Sequence, residues 1–312
     1  MVEAPTKTHQ PRTAARSTAP AIFTDRLVRW LVAAGGVICV VMLLLIFMLL
    51  AKEGLPFLRG YPVHKFVTGT QWQPTMEPPT FGLLPLLLGS LLVSGAAVLL
   101  AVPLGVAGAV FLSEVSPPRM RNWLKPAVEL LAAIPSVVMG FIGMLVIAPW
   151  VKTLFHLDQT MNGLTGAILL ALMALPTIVT VAEDALSVVP GSYREASLAL
   201  GATPWETIRD AVVPSAFSGL VAASMLGVGR ALGETMTVLM VTGNASVIPH
   251  TLLQPLRTMT ATIAGDMGEV VQGDLHYQSL FALGILLLAI CFAINLLSDL
   301  AMGGRRGSGA QA

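Results

Sequence analysis

The chain has 312 residues, of which 55% are hydrophobic and only 11% charged, with a formal net charge of +1 and two cysteines. A charge share about half that of an ordinary soluble domain excludes a water-soluble globule, and a near-zero net charge gives no global field for nucleic acid. Cys39 and Cys291 fall in apolar stretches and His9, His64, His156, His250 and His276 are scattered through tails and loops, so neither a disulfide framework nor a metal site follows.

In chain order, the Pro/Thr/Arg-rich segment 1–25 reads as a disordered tail, followed by a first transmembrane helix at 26–51 built on the charge-free run Leu31 to Ala51. No small-residue cleavage site follows that run, which predicts an uncleaved anchor. Segment 52–80 is too rich in Pro and Gly for a long helix and reads as an ordered external loop around Trp72. Further apolar runs occupy Pro78 to Ser113, with Pro85 and Pro103 predicting an interfacial turn and a kink, then Leu130 to Val151 and Gln159 to Ala182. A fifth starts at Ala211 and must continue through two charges to about Gly243, and a sixth spans Leu275 to Ser298. Each is near or above the ~20 residues a helix needs to cross a bilayer. The expectation is an all-α membrane protein with six transmembrane helices, its core at 81–302, an external segment at Asn244 to His276 and a short tail at 303–312.

Charge placement predicts orientation. Arg12, Arg16, Arg26 and Arg29 precede the first span, Arg119, Arg121 and Lys125 separate the second and third, Arg194 and Arg209 the fourth and fifth, and Arg305 and Arg306 follow the sixth. The positive-inside bias makes those segments, and both termini, cytoplasmic.

The polar interlude 188–214 reads as two short helices. Ser192 and Glu195 have capping-box spacing, Gly201 can end the first helix in a left-handed conformation, and Thr203-Pro204-Trp205-Glu206 supplies a cap, a first-turn proline and a second box for the next. Such an elbow on a membrane surface is a docking shape.

Arg230 stands near the centre of the fifth span, where a buried cation costs about 2.5–3.5 kcal/mol even on a lenient insertion scale. Glu234, four residues on, is expected on the same helical face. The order Arg then Glu is the weaker one for helix stability, which points either to a buried pair holding two helices in register or to a transport path in which Arg230 binds a passing oxyanion and Glu234 balances it when the path is empty. A guanidinium is permanently charged and matches two oxygens of a tetrahedral anion. Thr235, Thr237, Asn244 and Ser136 are candidate path-lining residues, and Gly229 and Gly233 form a small-xxx-small pair, extended by Gly219, Ala222, Ala223 and Gly227, for close helix packing. No phosphate-binding loop for ATP and no nucleophile–base arrangement stand out, so energy must come from another subunit and an enzymatic role is not expected.

Glu195, Ala196, Gly201, Ile208 and Pro214 stand where the coupling loop of bacterial ABC importer permeases has its Glu-Ala-Ala, Gly, hydrophobic and Pro positions, with Ser197 replacing the second Ala. The run Gly229-Arg230-Ala231-Leu232-Gly233-Glu234-Thr235-Met236 with Gly243-Asn244, and Ile134-Pro135-Ser136-Val137-Val138 and Leu175-Pro176-Thr177-Ile178, resemble the phosphate importer permeases of the PstC type. The likeness covers most of 75–300. It implies a MetI-like permease core in the bacterial cytoplasmic (inner) membrane that translocates inorganic phosphate, with no cofactor of its own. It also implies a heterodimer with a PstA-type permease, a PstB-type ATPase pair inside, docked through Arg194, Glu195 and the loop around them, and a PstS-type phosphate-binding protein outside. Other oxyanions (sulfate, molybdate, phosphonate) and a membrane scaffold in phosphate signalling are the alternative readings.

Overall fold

The computed structural model describes residues 19–306, with side chains from Arg26 to Ser298 and at Leu300; the tail readings for 1–18 and 307–312 lie outside the described residues. Helix α1 (Ala19–Gly60) is followed by α2 (Val63–Thr68), a two-stranded antiparallel hairpin of β1 (Trp72–Gln73) and β2 (Thr80–Phe81), and α3 (Leu84–Val110), which closes in a π-helical turn at Phe111–Val115. Next come α4 (Pro118–Ala132), α5 (Ser136–Ile142), a π-helical turn at Gly143–Ile147, α6 (Ala148–Phe155) and α7 (Gly163–Ser187). The polar interlude holds α8 (Gly191–Ala199) and α9 (Pro204–Glu206), then a π-helical turn at Thr207–Val212 and α10 (Val213–Ser215). The chain ends with α11 (Phe217–Gly233), α12 (Met236–Val241), α13 (Met259–Asp266) and α14 (Leu275–Arg306).

Five helices are long and apolar enough to cross a membrane, and a sixth span arises when the bent pair Pro204–Ser215 and Phe217–Gly233, set at 72°, is taken as one. The boundaries differ from expectation at several points. Helix α1 begins at Ala19 and runs nine residues past Ala51, through Pro56, because its last turns have a core to pack on: Phe57 is fully buried against Phe66 and Phe81. The third span begins at Ser136, not Leu130, because residues 133–135 break the chain and leave α4 as a separate amphipathic helix with no buried residue. Helix α14 continues to Arg306, past the expected tail boundary at 303.

The chain divides into two compact units, Met1–Leu49 and Leu50–Ala312. In the first, every described side chain is exposed, as befits a helix apolar on all sides. The second is organised on α7. Asn162 caps it, its Oδ1 accepting from the Thr165 backbone N–H at 2.9 Å and the Thr165 hydroxyl at 3.1 Å. Alanines at 97, 101, 167, 171 and 174 let α3 and α7 pack closely. Ile178 then fills the space left by two glycines: a Cβ on Gly105 of α3 or Gly227 of α11 would come within 2.6 Å or 2.5 Å of it.

Segment 52–80 is not a loop throughout: residues 52–60 continue α1, and α2 and the hairpin strands follow. Phe57, Phe66, Trp72 and Phe81 pack edge to face and share a core with Met259 of α13 and Leu280 and Leu283 of α14. Asp266 accepts from Trp72 Nε1 at 3.4 Å, bonds His276 at 3.3 Å and pairs with Arg257, so three separate segments meet on one carboxylate. Burial opposes ionisation of Asp266, but the His276 hydrogen bond and the Arg257 charge outweigh it and hold its pKa below the usual aspartate value.

Candidate functional site

The fifth span is not one helix. Helix α11 stops at Gly233; Glu234 is extended (φ −68°, ψ 130°) and Thr235 turns the chain into the short α12. Arg230 therefore lies in the last turn of α11 and Glu234 beyond it, and the expected i+4 pair does not form. A broken helix exposes backbone groups that lipid cannot satisfy, so protein must. Here the Glu234 carbonyl accepts from the Thr260 hydroxyl of α13 at 3.0 Å, and the Thr235 hydroxyl donates to the Gly233 carbonyl at 3.2 Å. On the far side, the Thr237 hydroxyl donates to the Ser136 carbonyl at 2.9 Å.

Two of the expected lining residues make local structural bonds. Thr237 is fully buried and staples α12 to α5 through the Ser136 backbone. Asn244 adopts φ 50° and its Nδ2 donates to the Leu239 carbonyl at 2.7 Å, capping α12 as its left-handed conformation and amide allow. Thr237 thus holds α12 against α5, and Asn244, itself exposed, closes the last turn of α12.

Arg230 and Glu234 face different surroundings. Glu234 is half-buried beside a cavity of about 10 Å³, lined by Ser90, Ser94, Thr258 and Thr260, with room for about one water. Arg230 is exposed at an open groove of about 580 Å³ between α11 and α14, whose polar groups are its own guanidinium, Asn295 and Ser298. The Ser298 hydroxyl is buried with no hydrogen-bond partner among the described residues. Neither Asn295 nor Ser298 stands out in a reading by apolar runs; a polar residue at 295 inside the most apolar part of the last span is the signal that could have found them.

A Cβ added to Gly229 or Gly233 would meet nothing within 4 Å, and both lie on the exposed face, whereas Gly219 and Gly227 approach α7 at Ala185 and Ile178. Close packing within this chain thus uses the second pair, not the first.

The elbow forms largely as its sequence directs. Gly201 has φ +91°, and the N–H groups of Gly201 and Ala202 bond the carbonyls of Leu198 and Ser197 at 3.0 and 3.2 Å, a complete left-handed helix stop. Thr203 and Glu206 make a full capping box with Pro204 at the first position. The Ser192–Glu195 box does not form: Pro190 takes the cap position, so Glu195 is left exposed on the surface. Ala196 and Pro214 are exposed too, and Ile208 is buried in the turn beneath. Leu200 is 90% and Trp205 65% exposed, an apolar tip that nothing described in this chain covers.

Arg194 points inward. Its guanidinium grips Glu114 with both prongs, at 3.0 and 2.7 Å, and donates to the carbonyls of Val189 and Leu186 at 2.7 and 3.2 Å. Nearby, Glu183 of α7, 1% exposed, is held by Arg121 and by Lys125 at 2.6 Å, both from α4. The Glu183 hydrogen bond holds the Lys125 pKa above its ordinary value. Glu114 and Glu183 escape a sequence reading because each looks like the polar end of an apolar run.

A broken apolar helix beside an exposed cation, and a capped elbow with an apolar tip, fit the multi-pass permease subunit of an ABC importer, the class to which the matches below assign the chain. The fold agrees with solved structures of that class: a bacterial ABC transporter importing the polysaccharide alginate (TM-score 0.61, 17% identity, 91% of this chain and 98% of that one) and the MetNI methionine transporter (TM-score 0.55, 18% identity, 69% and 92%). Residues 101–303 match the family described as binding-protein-dependent transport system inner membrane component, and the chain belongs to that family. Its relatives include a probable ABC transporter permease protein, YqgH, of Bacillus subtilis (39% identical, 86% of this chain and 88% of the relative). Others are the phosphate transport system permease proteins PstC of Mesorhizobium japonicum (40%, 73% and 75%) and PstC 2 of Mycobacterium tuberculosis (33%, 95% and 97%).

Proposed function

We propose that this chain is one membrane-spanning half of an ATP-driven importer of inorganic phosphate, and that Arg230 is the fixed positive charge the anion meets on its way. The observation that carries the reading is the exposed guanidinium at the end of α11, facing an open groove and lacking an ion-pair partner among the described residues. The relatives named as phosphate permeases supply the substrate class.

Phosphate entering lipid-depth surroundings loses hydration, and a planar cation presenting two N–H groups replaces part of it. Asn295 and the Ser298 hydroxyl, which has no partner among the described residues, continue along the groove with further groups able to donate to an anion. Glu234, across the helix break, sets a negative charge near the path without neutralising Arg230, which favours passage over trapping. A second permease of the PstA type would close the groove, its helix lying against the free face of Gly229 and Gly233.

The distribution of cationic segments favours a cytoplasmic elbow 188–214 and cytoplasmic termini, with segments 52–80 and 244–276 outside. In that orientation Glu195, Leu200 and Trp205 meet a PstB-type ATPase, and the aromatic-cored external face receives a PstS-type binding protein. The test is uptake of labelled phosphate by the complete complex in proteoliposomes. Uptake should require both ATP and the binding protein; uptake of sulfate or molybdate in preference to phosphate, or none with all components present, would overturn the assignment.

A further inference from the structure

We infer that the Glu114–Arg194 pair is the strut through which movement of the elbow reaches the membrane helices, so that Arg194 is a positioning residue for transport and not a contact with the ATPase. The inference rests on the elbow being the ATPase dock.

Helix α8 has no buried residue, so apolar packing does not fix it to the rest of the chain. Its side chains Tyr193 and Leu198, and Leu200 at its C-terminal cap, are exposed. Arg194 is the charged side chain of α8 that turns inward, and its guanidinium ties three places together. Two prongs hold Glu114 in the π-helical turn that closes α3, one N–H reaches Leu186 at the end of α7, and another reaches Val189 in the link to α8. The Glu114 side chain is 9% and the Arg194 side chain 27% exposed, so the pair is partly shielded from water and a shift of one partner pulls on the other. Lysine cannot reproduce this, because a single ammonium lacks the planar fork.

The elbow's other attachment is the π-helical turn Thr207–Val212, whose Ile208 and Val212 are buried and which leads into α11. Both attachments therefore end on π-helical turns, a geometry that recurs at functional sites. From there α11 runs to Arg230, and α3 carries the Ser90 and Ser94 that face Glu234. A push on the elbow is delivered to the two sides of the helix break by separate helices.

The experiment uses the complete complex in proteoliposomes, with labelled phosphate uptake, ATP hydrolysis and the amount of ATPase retained measured together. Arg194→Ala and Glu114→Gln should retain the ATPase while phosphate moved per ATP hydrolysed falls about tenfold, and Arg194→Lys should recover part of the ratio. A normal ratio in both Arg194→Ala and Glu114→Gln would overturn the strut. Loss of the ATPase from Arg194→Ala but not from Glu114→Gln would overturn it too, since Arg194 would then touch the ATPase directly. If Arg194→Ala does not assemble, the near-isosteric Glu114→Gln decides. Leu200→Asp on the outward tip tests the underlying reading separately: if the ATPase stays bound to it at normal levels, the elbow is not the dock, whatever the Arg194 variants do.

Discussion

Arg230 and Glu234 are four residues apart but lie on either side of a helix end, the guanidinium exposed at the α11–α14 groove and the carboxylate beside a hydroxyl-lined cavity between α3 and α13. Had α11 continued, the two would have met and cancelled. The break keeps a positive charge available on the outer face of the helix while the negative one is held inward. The Thr260 and Thr237 hydroxyls hold that break in place.

Replacing Thr237 by Val keeps its shape but removes the hydrogen bond that joins α12 to the Ser136 carbonyl of α5. The expected cost is about 0.5–1.5 kcal/mol. A drop in the unfolding temperature of the purified complex checks it, and an unchanged temperature would mean that the staple is dispensable.

The two glycine pairs of α11 should behave oppositely. Gly227→Leu drives a side chain into Ile178, already 2.5 Å from a Cβ there, and should prevent this chain from accumulating. At Gly233 a Cβ meets nothing within 4 Å, so Gly233→Leu should leave the chain folded while blocking co-purification of the second permease. Equal amounts of heterodimer in both variants would contradict the assignment of the exposed face.

At φ +91°, Gly201 occupies a conformation that costs an L-residue about 1–2 kcal/mol. Gly201→Val should loosen the elbow and reduce the ATPase recovered with the permease, with little effect on the amount of permease in the membrane. Full recovery of the ATPase would contradict the role of the left-handed stop.

Much of the fold is legible in the sequence, and the reasons differ by element. Long apolar runs announce themselves through composition, and Gly201 and Thr203-Pro204-Trp205-Glu206 act locally, so the spans and most of the elbow can be read directly. The break at Glu234 cannot, because what stabilises it is Thr260, 26 residues away in sequence, and no local signal reports such a partner. The same holds for Arg194: its cationic character is plain, but its inward turn depends on Glu114, 80 residues distant. Glycine spacing alone does not tell the pair facing α7 from the pair facing outward. At Ser192, propensity points to a cap that Pro190 occupies instead.

The Asp266 cluster makes a pH prediction. Its folded-state pKa lies below the unfolded value, so its contribution is complete above about pH 4, the ordinary aspartate range, and is lost as pH falls through the folded value. The unfolding temperature of the native complex should exceed that of Asp266→Asn at pH 5, and the margin should shrink below about pH 4. A margin that persists undiminished to pH 3 would show that the carboxylate's charge does not hold Trp72, Arg257 and His276 together.

The central claim is that Arg230 serves the anion and not the fold. Its most direct measurement is labelled phosphate uptake by complexes carrying Arg230→Gln, reconstituted at equal amounts with ATPase and binding protein. Arg230 forms no ion pair among the described residues, so Arg230→Gln should assemble normally and lose uptake by about a hundredfold or more, the equivalent of roughly 3 kcal/mol. Arg230→Lys, which keeps the charge but not the fork, should recover only part. Full uptake by Arg230→Gln at normal complex levels would contradict the account.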